Sequence, residues 1–533
     1  MRRWNGWGDA STVDELPPGG AAAIARVVGP GTPRRDARLA DVLAGVPASR
    51  LGRHRLVVDD PEARVRHARG QSLPDWVALR TGRLGAVPDG VAFPADAAEV
   101  RALLAWAAAA GARVVPYGGG TSVVGGVTPS SDGSPWLTIS LARLAGLRTL
   151  DEQSLLATFG AGTIGPDVEA ALRARNLTLG HYPQSWELST VGGWVAARSS
   201  GQQSAGYGRI EALFAGGTVE APAGTLLMPP HPASAAGPDL RQAILGSEGR
   251  LGILVEAVLR VAPLPEVEAF PALFLPDWDR ALAFTRALSR ARLPLAMLRT
   301  STPAETWTNL VLAGHERTLA ALRHYLTARG AGPGRCMVLL GLVGRRRVMA
   351  ATFAEVLGIG RAFGAVRAPA TLGRQWHASR FRTPYLRNTL WDAGYAVDTL
   401  ETAVVWDRVP AMAAALAPAI RRGLADEGER VHAFTHLSHV YPTGSSLYTT
   451  FVFRLADDPD ATLARWRRLK TMASEAIVRL GGTISHQHGV GSDHAAYLAA
   501  EKGELGMAAL GDLARRFDPA SLMHPGVLLP DRP

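Results

Sequence analysis

From residue 84 to 266 the apolar positions switch between a period of two and a period of about 3.6, as short strands alternating with helices require. Gly90–Phe93 reads as a strand. Asp96-Ala97-Ala98-Glu99 is a capping box that opens a helix with Val100, Leu103, Leu104 and Ala107 on one face, and Gly111 ends it. Strands Arg113–Val115 and Trp136–Ser140 follow. Leu155–Phe159 is a further strand, Pro166 stands at the start of a helix running to about Arg175, and Leu177–Leu179 returns as a strand. Ile253–Val261 alternates with period two until Pro263 and Pro265 close the segment.

Residues 267–430 change character. Amphipathic helices (Trp278–Arg290, Glu316–Arg329, Arg347–Gly358) lie between short strands, without glycine-rich ligand loops, as in a domain that covers a site. Ala433–Tyr441 and Leu447–Leu455 form a hairpin around Pro442-Thr443-Gly444. A helix from Asp460 to Leu480 then presents Leu463, Trp466, Leu469, Ala473 and Ile477 on one face, and Gly481-Gly482 stops it. The first 80 residues are polar and proline-punctuated, and read as an extended arm wrapped on a core. The expected division is an arm (1–83), a first α/β unit (84–266), a cap (267–440) and a closing C-terminal segment (441–533).

The 533 residues suffice for two or three domains with full cores, and 47% hydrophobic with 20% charged residues exclude a disordered chain. The single cysteine, Cys336, excludes an intramolecular disulfide and indicates a reducing compartment. The opening Met1-Arg2-Arg3-Trp4-Asn5-Gly6-Trp7 lacks the apolar stretch of a secretory signal, and no apolar run is long enough to cross a bilayer, so a cytoplasmic protein is expected. A net charge of +10 raises a nucleic-acid reading, but the arginines are scattered singly, no recognition motif appears, and the only lysines are Lys470 and Lys502.

The most informative loop is Pro116-Tyr117-Gly118-Gly119-Gly120-Thr121-Ser122-Val123-Val124-Gly125-Gly126. Five glycines in nine residues follow a strand and expose successive N–H groups, a concavity suited to a pyrophosphate. Its spacing is neither a P-loop nor a Rossmann fingerprint. Three more loops, at 184–194, 198–208 and 246–252, combine glycines and hydroxyls beside strands. Each could be a plain turn, but together they fit one large phosphate-bearing ligand, and FAD meets the description.

Pro116–Gly126, Ser189–Gly193, Arg198–Gly201 and Gly246–Ile253 resemble the FAD-binding domain of the vanillyl-alcohol-oxidase/PCMH flavoprotein superfamily. Within it, Arg3-Trp4-Asn5-Gly6-Trp7-Gly8, His67–Ser72, Pro183–Trp194, Glu401-Thr402 with Trp406-Asp407-Arg408, and Ser485-His486-Gln487-His488-Gly489-Val490-Gly491 resemble the alkyldihydroxyacetonephosphate synthase family nearly end to end. The resemblance implies an α+β fold: a two-subdomain PCMH-type FAD-binding domain with an inserted α/β cap domain. It implies that Pro116, Tyr117, Gly118, Gly119, Gly120, Thr121 and Ser122 meet the FAD pyrophosphate. Gln184, Ser185, Ser189, Thr190, Ala197, Arg198, Ser199 and Ser200 would line the flavin, and Glu248, Gly249, Leu251, Gly252, Ile253 and Leu254 would complete the site. The glycine loop has no histidine where many relatives attach flavin covalently, so non-covalent FAD is expected.

That family exchanges the acyl group of acyl-dihydroxyacetone phosphate for a fatty alcohol, with a flavin that passes no electrons onward. The chemistry calls for a cation on the phosphate, an acid/base group and an apolar tunnel. By resemblance Arg387 is the phosphate ligand, Tyr448 the catalytic phenol, Arg299 an arginine needed for activity, and His486 and His488 belong to the active-site histidine cluster. Tyr448 shares a strand face with Thr450 and Arg454, opposite Leu447, Phe451 and Phe453, the more polar side, where a phenol exchanges a proton if nearby cations lower its pKa. The cluster departs from the family: Gln487 stands where a central histidine is usual, and an amide carries no proton. No cysteine or carboxylate cluster completes a ligand set around His486, His488, Asp493 and His494, so no metal is expected. A homodimer is implied by the resemblance, and peripheral membrane contact by a lipid-soluble alcohol. Two rivals remain: an FAD-dependent D-2-hydroxy-acid dehydrogenase, which typically has Glu-His-Gly where this chain has Gln487-His488-Gly489, and a flavin- or lipid-binding protein without activity.

Overall fold

The computed structural model describes residues 1–313 and 316–529. Three sheets organise it. Val57–Val58, Gly90–Ala92, Trp136–Ser140 and Arg113–Tyr117 form the first in that spatial order, antiparallel at the first pairing and parallel at the other two. The second is a five-stranded antiparallel sheet ordered Leu147–Asp151, Leu156–Gly160, Ile253–Arg260, Phe214–Ala221 and Gly224–Met228. One core joins them: Val114, Leu137 and Ile139 from the first, Phe159, Val219, Ala257 and Leu259 from the second, and Val100, Leu103 and Leu104 from helix Ala97–Ala109. Asp96 caps that helix by accepting from the Glu99 N–H at 2.8 Å, but the returning Glu99 carboxylate takes the Ala95 N–H rather than that of Asp96.

The third sheet is antiparallel with eight strands. Its path runs Val366–Arg367, Ala272–Leu275, Cys336–Gly344, Met297–Ser301, His432–Tyr441, Gly444–Arg454 and Tyr395–Val405, with Val267–Ala269 also paired to 336–344. Period-two alternation explains its two apolar faces. Leu273, Leu275, Val338 and Leu340 pack on Phe284, Leu288 and Val356 of helices Trp278–Arg290 and Arg346–Arg361. Ala272, Phe274, Met337 and Leu339 join Leu310 and Leu326 of helices Pro303–Leu312 and Glu316–Ala328. The hairpin 432–441/444–454 belongs to this same sheet, so a boundary at 440/441 runs through it. Leu447, Phe451 and Phe453 face helices Val409–Arg422 and Pro459–Arg479, which leaves Tyr448 and Thr450 on the opposite, cavity-lining face.

The first 81 residues are less extended than their composition suggests. Helices Pro18–Val28, Leu39–Ala44, Pro61–Arg66 and Leu73–Thr81 occupy the arm, three of them with proline in the first turn, where a missing N–H costs nothing. Before them residues 1–9 form a strap. The Trp7 N–H donates to Asn388 Oδ1 at 3.1 Å, Asn388 Nδ2 donates to Trp7 O at 3.0 Å, and Arg2 Nη2 donates to Gly119 O at 2.6 Å. The strap thus joins the glycine loop to helix Thr383–Asp392. Arg80 backs the joint, donating to Asn388 Oδ1 at 3.0 Å with its guanidinium 5.1 Å from the Trp76 ring centre. No described helix is long and apolar enough to cross a membrane.

Candidate active site

A cavity of about 830 Å³ lies between the loops of the first two sheets and the open face of the third. On one wall stand Pro116, Gly118, Gly119, Gly120, Thr121 and Ser122. Beside them are Gln184, Ser185, Ser189, Thr190, Ala197, Ser199 and Ser200, and then Glu248, Gly249, Gly252, Ile253 and Leu254. The amides of residues 118–122 donate to no protein acceptor among the described residues. A Cβ on Gly119 would overlap the Leu188 carbonyl, and one on Gly118 would strike Thr190 Oγ1, so the two loops approach as closely as bare backbone allows. Free amides on a tight, side-chain-free turn fit the pyrophosphate of FAD. Gly119→Ala is therefore expected to yield folded but colourless protein, with flavin per chain, read from visible absorbance, down by about tenfold or more.

Three predicted cofactor residues do not line this wall. Tyr117 points backwards because it sits between Pro116 and Gly118 on a strand; its hydroxyl donates to Arg69 O at 3.1 Å. Arg198, at φ 52°, turns away to pair with Glu211 at 2.6 Å. Leu251 is buried in the core. Glu248 does line the cavity. Burial pushes its carboxyl up to about 7, although the Val490 and Gly491 N–H groups donate to it at 2.6 and 2.7 Å and favour the ionised form.

On the opposite wall Arg387 projects from helix Thr383–Asp392 and lies 4.3 Å above the Trp76 ring centre. Its Nη1 donates to Gln71 O at 2.5 Å, while Nε and Nη2 are buried without a partner. No carboxylate pairs with it among the described residues, and burial lowers its pKa to about 10. A cation held this way at a cavity wall is a site for an anion.

Tyr448 is placed by register: Glu401 stands opposite it on one neighbouring strand and His436 on the other. Its ring stacks on His436 at 5.0 Å and meets His488 edge-on at 5.5 Å. Burial raises the phenol to about 12, so the condition of a pKa lowered by cations is not met. Arg299 is occupied: it donates to Glu305 at 2.6 Å, and Glu305 also lies 2.9 Å from His436 Nδ1. Burial works against the Glu305 carboxylate, but the His436 and Arg299 charges outweigh it and hold it at about 2. Arg299 therefore reaches Tyr448 through Glu305 and His436.

Tyr448, Arg299, Arg387, Gln487 and His488 all line the cavity, whereas His486 stands behind it. His486 Nε2 is 2.7 Å from Tyr441 Oη, and Nδ1 is 3.3 Å from Glu401 Oε1. Gln487 Nε2 donates to Glu401 Oε2 at 2.5 Å, so the glutamine is tied to a buried carboxylate. Burial lowers the pKa of His488, of His436, and of His439 to about 3; at His436 the facing Glu305 carboxylate opposes this and favours the charged imidazole.

The roles of Glu305, His436, His439 and Glu401 were not read from the sequence. His436 and His439 are an odd number of residues apart, so strict alternation puts them on opposite faces. A register slip between Leu437 and Val440 brings both to the cavity. The signal was the run His432, His436, His439 on one strand.

Two family models match the chain: an FAD binding domain over residues 88–228, and the C-terminal domain of FAD linked oxidases over residues 264–528. The chain is 30% identical over 482 residues to the alkyldihydroxyacetonephosphate synthase of Dictyostelium discoideum, spanning 89% of this chain and 78% of that one. It is 30% identical over 485 residues to the synthase of Trypanosoma brucei brucei, with the same two coverages. A solved alkyldihydroxyacetonephosphate synthase structure matches with a TM-score of 0.83 at 25% identity over 98% of each chain.

Proposed function

Since the chain belongs to the alkyldihydroxyacetonephosphate synthase family, we propose that its cavity performs that family's exchange on a phosphorylated acyl ester, replacing the acyl group by a fatty alcohol to form an ether. It is an FAD-dependent enzyme. The observation that carries the reading is Arg387: a buried guanidinium with no salt-bridge partner among the described residues, at the wall of a cavity that also presents leucines and a methionine, suits the phosphate of a lipid-like substrate. When bound, FAD supplies a carrier for the substrate carbon while one oxygen substituent leaves and another enters.

The remaining steps belong to the protein. The ester leaves as a carboxylate, the alcohol enters as R–OH, and one proton is released per exchange. Tyr448, protonated at neutral pH, holds and passes a proton at its hydroxyl, and neutral His488 beside it accepts one. Arg299, Glu305 and His436 act as positioning residues that fix the Tyr448 ring. Gln487 orients Glu401 and carries no proton. Leu310, Leu312, Met337, Leu339 and Leu372 line the same cavity as Arg387 and suit an alkyl chain. A homodimer and peripheral membrane contact accompany this reading.

The test is an anaerobic titration of the yellow protein with acyl-dihydroxyacetone phosphate, then a long-chain alcohol. Bleaching by the first, reversed by the second without an electron acceptor, is expected. Bleaching by a D-2-hydroxy acid, recovering only with an acceptor, would replace this reading with dehydrogenation.

A further inference from the structure

Behind Gln487, three side chains converge from separate parts of the chain: Glu401 on strand Tyr395–Val405, His439 on strand His432–Tyr441, and His486 on the loop after helix Pro459–Arg479. All three are buried, and one ligand atom from each lies within 4.8 Å of the others. His486 Nδ1 lies 3.3 Å from Glu401 Oε1 and has no hydrogen-bond partner among the described residues. The two imidazoles stack at 5.0 Å with 26° between their planes.

Their remote nitrogens are fixed. His486 Nε2 is 2.7 Å from the Tyr441 hydroxyl, and His439 Nδ1 lies 3.0 and 3.2 Å from Ser204 Oγ and Ser200 Oγ. The carboxylate is oriented too: Ser446 Oγ donates to Oε1 at 2.7 Å and Gln487 Nε2 to Oε2 at 2.5 Å. Imidazoles anchored at the far nitrogen, beside a hydrogen-bonded carboxylate, are held as the ligands of a metal centre are held.

We propose that Glu401, His439 and His486 bind a divalent transition metal of the zinc class. For metal–ligand bonds of about 2.1 Å, tetrahedral ligand atoms stand roughly 3.4 Å apart, and the Glu401–His486 spacing already matches this. Two imidazoles and one carboxylate suit zinc rather than magnesium or calcium, which prefer all-oxygen sets. Three protein ligands leave a fourth position, reached through His439, the member that lines the cavity. The carboxylate absent around His486 in the sequence is Glu401, contributed by a strand far earlier in the chain. This site stands independently of the ether-forming reading.

The experiment uses FAD-loaded protein stripped with a chelator and dialysed against zinc alone. One zinc per chain is expected, with a raised melting temperature, and cobalt in its place gives the visible absorption of a tetrahedral site. His439→Gln and His486→Gln abolish the stoichiometric zinc, and Ser204→Ala weakens its affinity by about tenfold. Wild-type protein retaining no zinc above a protein-free control overturns the proposal, as does zinc retained equally by both histidine variants. If a variant loses its flavin or its fold, the wild-type stoichiometry and the cobalt spectrum decide alone.

Discussion

Arg387→Met raises the melting temperature of the substrate-free enzyme by a few degrees while nearly abolishing turnover of the phosphorylated substrate. The two effects share one cause. A buried guanidinium with two unpartnered nitrogens and no carboxylate in salt-bridge contact among the described residues rests on the Gln71 carbonyl and the Trp76 face. Replacing even a paired buried charge by apolar side chains is often neutral or stabilising by about 1–4 kcal/mol, and an unpaired guanidinium has less Coulombic gain to lose. Losing a buried charge from a phosphate costs about 2–5 kcal/mol, or roughly 30- to 5,000-fold in kcat/KM. Arg387→Lys keeps the charge but not the fork, and falls between the two. Thermal melts and steady-state kinetics on the three proteins check this. A methionine variant that melts lower yet turns over normally would remove Arg387 from the substrate site.

Tyr448→Phe lowers kcat by about 10²–10⁴-fold with little change in KM or flavin content. The ring, and with it the stacking on His436, survives the change; only the hydroxyl is lost. With its pKa pushed up to about 12, the phenol is protonated throughout the neutral range, so the wild-type pH–rate profile contains no tyrosine limb between about pH 6 and 9. An alkaline rise in that interval, present in wild type and missing in the phenylalanine variant, would make the phenolate the working form and refute this account.

Much of this site is readable along the chain because it is built from local rules. The glycine loop follows its strand, the face of Tyr448 follows from alternation between Leu447 and Phe451, and the helices of the cap follow from their apolar stripes. The same alternation, applied one step earlier, also turns Tyr117 away from the loop it opens. What escaped depends on neighbours distant in sequence. Glu401 acquires its meaning only from lying opposite Tyr448, and His439 only from a slipped register. The arm hid four helices because its prolines, which look like breakers, sit mostly at helix starts. The Trp-Asn-Gly-Trp strap is conspicuous as a motif, but nothing local says that it docks on Asn388.

That docking sets the order in which the site can be completed. Trp7 and Asn388 are 381 positions apart, and Arg2 and Gly119 are 117 apart. Contacts of such span form only after a long loop has closed, and closing it costs entropy before any contact repays it. During synthesis the strap precedes the 383–392 helix by more than 370 residues, so its Asn388 contacts wait for that helix. The glycine loop and the helix that carries Arg387 are thus fastened together in one of the latest steps, and a refolding assay that follows Trp7 should lag one that follows the first sheet.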